Sequence, residues 1–144
     1  MTGLAATVLL QAALLTTGAQ PYEEAFKDHE ESGKPLLVLV GADWCPACVT
    51  MKTGVLSRME RNGKLKRVAF SVLNTDRDSK LAKGVMRGGT IPQLIMFTRN
   101  ADGEWNREQL TGAQSEQAVE TLVAEAVTRQ SKKESVTKQA SVRQ

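Results

Sequence analysis

Leu36-Leu37-Val38-Leu39-Val40, running on through Gly41 into Ala42-Asp43-Trp44-Cys45-Pro46-Ala47-Cys48, is the stretch on which the reading of this chain turns. The five branched apolar residues are short, uninterrupted and β-prone, the pattern of a strand buried on both faces. Pro46 suits the first position of a helix, where a missing N–H costs nothing. The two cysteines, the only ones in the chain, therefore sit across the first turn of a helix that follows a buried strand. In that context a Cys-x-x-Cys pair signals thiol–disulfide chemistry rather than metal binding. Zinc takes about four ligands, and beyond the two cysteines the chain offers one remote histidine, His29. No metal is expected.

Working outward, Pro21 to Ser32 predicts a helix that Gly33 stops. After the strand at 35–41, the helix opened by Pro46 places Cys48, Met51, Val55 and Met59 on one face. Gly54 and a capping-box pattern at Ser57-Arg58-Met59-Glu60 suggest that it divides in two. Arg67 to Leu73 alternates as a second strand, and Asp76 to Val85 forms a short polar helix ending near Gly84, Gly88 and Gly89. Leu94 to Thr98 is a third strand. Asn100-Ala101-Asp102-Gly103 turns the chain into an antiparallel partner over Glu104–Leu110. Ser115 caps a final helix that turns Ala118, Leu122, Val123 and Ala126 inward. This order of elements gives an α/β domain with a mixed sheet covered on both faces.

The 144 residues support one domain with an ordinary core. The net charge of +3 is mild, and basic residues are interspersed with acidic ones as far as residue 129. No basic face points to nucleic acid. From Gln130 to Gln144 the chain is polar and basic, with Lys132, Lys133, Lys138 and Arg143 against Glu134, and a disordered tail is expected. At the other end, Leu4 to Leu15 is small and apolar, and Thr17-Gly18-Ala19 offers small residues ahead of a cleavage point before Gln20. That is a signal-peptide pattern over 1–19, although the n-region lacks Lys and Arg. It implies an exported domain spanning 20–129 and then the tail, in a periplasmic or secreted setting. The alternative is a membrane anchor formed by an uncleaved N-terminus. His29 lies among Lys, Asp and Glu and reads as solvated, and the methionines at 51, 59, 86 and 96 read as core.

Four pieces in register resemble the thioredoxin superfamily over about Pro21 to Val127. They are Ala42-Asp43-Trp44-Cys45-Pro46-Ala47-Cys48 after the strand, Leu73-Asn74-Thr75-Asp76, Thr90-Ile91-Pro92, and Thr111-Gly112-Ala113 before the Ser115 cap. The first piece is most similar to thioredoxin-like domains of periplasmic thiol–disulfide interchange proteins. The resemblance implies a thioredoxin fold and a protein thiol–disulfide oxidoreductase, with Cys45 as nucleophile and Cys48 as resolving thiol. It also implies a cis Ile91–Pro92 bond beside Cys45, where the Ile91 backbone can pair with an extended substrate. Trp44 and Pro46 would complete the docking surface beside the thiols.

A helix N-terminus favours negative charge, so the Cys45 thiol should ionise below the roughly 8.5 of a free cysteine. No cofactor is implied beyond the redox-active Cys45–Cys48 pair. The partners implied are protein disulfides or dithiols and a membrane electron donor or acceptor, with the domain itself a monomer. A purely structural disulfide is the blander alternative, but a loop this short closes little entropy. A non-catalytic peptide-binding or chaperone module and a soft-metal carrier are the other classes that the residues permit.

The pattern also departs from thioredoxin. Leu39 and Val72 stand where thioredoxin carries a buried Asp and its neighbouring Lys. Asp43 is then the nearest carboxylate for proton transfer. The Pro46-Ala47 dipeptide leaves the direction of electron flow open, with a lean towards reduction or exchange because no histidine separates the cysteines.

Overall fold

A computed structural model of the chain describes residues 18–142. Its centre is a four-stranded sheet in the order β2-β1-β3-β4. The strands are β1 (Leu36–Gly41), β2 (Ala69–Asn74), β3 (Gln93–Arg99) and β4 (Trp105–Thr111). β1 runs parallel to β2 and antiparallel to β3, and β3 pairs antiparallel with β4. A parallel neighbour needs a crossover. Here it is supplied by α2 (Pro46–Val49), a π-helical stretch (Thr50–Leu56) and α3 (Ser57–Arg61). Helices α1 (Tyr22–Ser32), α4 (Ser79–Val85) and α5 (Glu116–Val142) complete the domain.

β1 shows why its sequence is a solid apolar run. Leu36, Val38 and Val40 pack with Ala25 of α1 and Ala82 of α4 on one face. Leu37 and Leu39 pack on the other with Met51, Leu56, Met59 and the α5 residues Val119, Leu122 and Ala126. A central strand buried on both faces has no polar side to alternate with. Helices therefore cover both faces of a mixed sheet, as the sequence pattern implied. At the β2 edge, Gln20 adds a single parallel bridge to Ser71, its N–H donating to Phe70 O at 2.8 Å.

Several boundaries differ from the sequence reading, each for a local reason. The crossover helix does not break at Ser57. That residue keeps helical angles and its hydroxyl donates to Lys52 O, so the chain passes Gly54 in a π-helical stretch instead of starting afresh. The segment before α4 is a turn, in which the Asn74 side chain accepts the N–H groups of Asp76 and Arg77. Ser115 does cap α5, its hydroxyl accepting the Ala118 N–H at 3.1 Å. Ala118 is only half-buried, however, and Val119 takes the inward position.

His29 is buried, not solvated. It stacks on Trp105 at 5.0 Å and its Nδ1 lies 2.5 Å from Lys34 O, so a charged neighbourhood in sequence concealed an inward face. The expected disordered tail is also corrected. α5 continues to Val142, with Gln130 buried against β3. Composition misled because extending a helix already nucleated by packing is far cheaper than starting one. The signal peptide expected over 1–19 lies outside the described residues except for Gly18 and Ala19. No helix among the described residues is long and apolar enough to cross a membrane.

Candidate active site at the start of the crossover helix

β1 ends at Gly41, and three residues then lead to Cys45, the cap of α2. The Cys45 backbone is extended (φ −95°, ψ 109°), and its sulfur accepts the Cys48 N–H at 3.2 Å. Cys45 thus occupies the cap position, with Pro46 directly inside the helix. The two cysteines are joined by a disulfide with their Cα atoms 5.2 Å apart. Both residues are buried and form a small apolar cluster with Ala42, against which Ala47 and Ile91 pack. The Ile91–Pro92 peptide bond is cis. The structure therefore brings Cys45, Cys48, Pro46 and Ile91 together from the start of α2 and the loop before β3.

Cys48 is fixed from behind by close backbone approach. A side-chain carbon on Gly41 would meet Cys48 Cβ at 2.8 Å, so only glycine lets this turn of the helix seat on the strand end. Beside Cys48 opens a cleft of about 60 Å³, with Leu39 and Val72 in its wall and Asp43, Lys52 and Asp78 among its polar lining. Leu39 and Val72 are directly paired across β1 and β2. The two positions that would hold an Asp and a Lys thus hold an apolar pair at one place in the sheet, which avoids an unpaired buried charge.

Trp44 and Asp43, directly before Cys45, are both exposed. Trp44 is 69 % exposed, and its indole N–H donates to the Asp76 carboxylate at 3.0 Å. Asp76 thus tethers the indole to the loop after β2. Asp43 forms an exposed ion pair with Arg77 at 2.7 Å. These adjacent contacts tie the loop before Cys45 to the loop after β2. Asp76, Arg77 and Gly41 escaped the sequence reading as site residues. The Leu73-Asn74-Thr75-Asp76 piece was the one signal that could have found Asp76. Among the described residues no group of three or more His, Cys, Asp or Glu is placed to hold a metal ion.

Comparison with known proteins agrees with this arrangement. A thioredoxin from Thermus thermophilus has the same fold, with a TM-score of 0.61 over 75 % of this chain and 85 % of its own, at 24 % identity. Mitochondrial thioredoxin 3 from Saccharomyces cerevisiae gives a TM-score of 0.53 over 72 % of this chain and 89 % of its own, at 18 % identity. A chloroplastic thioredoxin-like protein of Arabidopsis thaliana is 32 % identical over 93 residues, which are 64 % of this chain and 33 % of the relative. The aligned region thus spans about a third of that relative's length. A family model described as thioredoxin-like matches residues 18–98. That match covers more than half of the sequence and takes in both cysteines and Pro92, so the chain belongs to the thioredoxin-like family.

Proposed function

We propose that this protein is a thiol–disulfide oxidoreductase that acts on protein disulfides in an exported compartment through the Cys45/Cys48 couple. The observation that carries the proposal is a disulfide at a helix start that faces the loop of a cis proline. In the reducing direction the Cys45 thiolate attacks one sulfur of a substrate disulfide and expels the other as thiolate. A mixed disulfide results. Cys48 then loses its proton and attacks Cys45 Sγ, which releases the second substrate thiol and leaves the Cys45–Cys48 disulfide. Two electrons have passed from the dithiol to the substrate, so no bound cofactor is required.

The parts of the site divide this work. The Cys48 N–H aimed at Cys45 Sγ, with the helix dipole behind it, favours the thiolate that attacks and later leaves. Ile91 and Pro92 offer an extended edge for a substrate strand, and exposed Trp44 with Pro46 flanks it. With Leu39 and Val72 apolar, the proton of Cys48 leaves through water in the cleft that Asp43 borders. We place the domain as a monomer, re-reduced by a membrane partner because an exported compartment supplies no reducing pool.

The direction we favour is reduction or exchange. Equilibration of the pair with glutathione tests it. A potential near about −270 mV supports a reductase, whereas one near about −120 mV would assign the protein as an oxidant. Loss of insulin-disulfide reduction in Cys45→Ser separates the enzyme from a peptide-binding module, which would keep its function without that thiol.

A further inference from the structure

Gln93 opens β3 directly after Pro92, and its side chain is completely buried. A buried carboxamide must find partners for its oxygen and its two N–H groups. Gln93 finds them all in one loop. Its Oε1 accepts the Arg87 N–H at 3.2 Å, and its Nε2 donates to Arg87 O and Thr90 O, both at 2.9 Å, with Gly88 O at 3.3 Å. Residues 87–90 are exposed and include Gly88 in the left-handed region at φ 75°. Among the described residues no backbone–backbone hydrogen bond holds 87–91. One side chain thus shapes the loop that leads into Ile91, and Ile91 packs on the cluster containing both cysteines.

We infer that Gln93 is a positioning residue for protein substrates. By fixing residues 87–90 it sets the path of the Ile91 backbone, the edge on which an extended peptide pairs. This rests on the oxidoreductase reading and adds a division of labour to it. Gln93 governs how a polypeptide docks and leaves the reactivity of the Cys45 sulfur alone, because none of its hydrogen bonds reaches the cysteine turn.

The test compares two substrates in Gln93→Met, which keeps the volume and removes the hydrogen bonds. Losing a buried clamp should raise KM for insulin about tenfold with kcat unchanged. The rate of the reduced protein with bis(2-hydroxyethyl) disulfide, which has no peptide backbone to pair with the Ile91 edge, should stay within about twofold. An equal fall with both substrates would overturn the proposal, as would an unchanged KM for insulin. Should Gln93→Met fail to fold, Gly88→Val strains the same loop from the surface, where a new Cβ meets nothing within 4 Å. The same selective rise in KM is expected there, and its absence counts against the clamp. A wild-type protein inert towards bis(2-hydroxyethyl) disulfide as well as insulin would instead refute the oxidoreductase reading itself.

Discussion

Gly41 and Cys48 meet at the end of β1 with no room for a methyl group, since a carbon added to Gly41 would lie 2.8 Å from Cys48 Cβ and 3.0 Å from its sulfur. Cys48, the disulfide partner of Cys45, is therefore seated against the strand end, and the seat can be disturbed without substituting either cysteine. Gly41→Ala should destabilise the fold by about 1–3 kcal/mol through overpacking. It should also slow release of the mixed disulfide more than its formation, because Cys48 is the displaced residue. Denaturant unfolding and rapid-quench trapping of the mixed disulfide measure the two effects. Equal slowing of both steps would show that Cys45 moves as well.

Asp43 borders the cleft beside Cys48 while paired with Arg77. Asp43→Asn should slow resolution of the mixed disulfide about tenfold near pH 7, and the deficit should shrink as pH rises and hydroxide takes over removal of the proton. A pH profile of the resolving step reads this. Parallel profiles for variant and wild type would remove Asp43 from the proton path. Stability should change by no more than about 1 kcal/mol, since the pair with Arg77 is exposed.

His29, at the far end of β4 from Thr111, should make the domain acid-sensitive. Its ring lies between α1 and Trp105, Nδ1 donates to Lys34 O, and the Arg99 guanidinium stacks over Trp105 at 4.2 Å. Burial lowers its pKa from 6.5, and Arg99 and Lys133 lower it further, against opposing effects of the Lys34 carbonyl and Glu30. As pH falls, the unfolded chain thus takes up this proton before the folded one does. The contribution to stability is present above the unfolded value and is lost as pH falls through the folded one. His29→Asn keeps a donor for Lys34 O and should flatten the fall in unfolding free energy between about pH 7 and 5. Equal slopes for the two proteins would assign the acid sensitivity elsewhere.

The length of α5 exceeds what the core uses. Gln130 is buried and its side chain accepts the Arg99 N–H at 3.3 Å, whereas most of the helix beyond it is exposed. Removing residues 131–144 should cost less than about 1 kcal/mol, and Gln130→Ala about 1–2 kcal/mol in the full chain. Urea unfolding ranks the two. A larger loss from the truncation would mean that the exposed turns carry stability of their own.

The fold was legible because its decisive signals are local. Leu36–Val40 can only be a strand buried on both sides, Pro46 and Gly33 punctuate helices, and Asn100–Gly103 turns a hairpin. The cysteine pair and Pro92 were legible as motifs. What stayed hidden depends on packing between distant segments. His29 is buried by Trp105, 76 positions later in the chain, and nothing in its own helix reports that. Gln93 looks like an ordinary polar residue beside a strand until the loop it binds is seen. The extension of α5 was misread because polar composition describes solvation, and an exposed helix is as solvated as a coil.

The most direct test of the central claim is to trap the covalent step. Reduced Cys48→Ser protein is mixed with an excess of a protein disulfide, and the adduct is mapped by mass spectrometry. The expected result is a stable one-to-one mixed disulfide through Cys45, formed faster than by Cys45→Ser under the same conditions and discharged by dithiothreitol. An adduct that forms only through Cys48, or none at all with Cys45 free, would contradict the assignment of Cys45 as the attacking thiol.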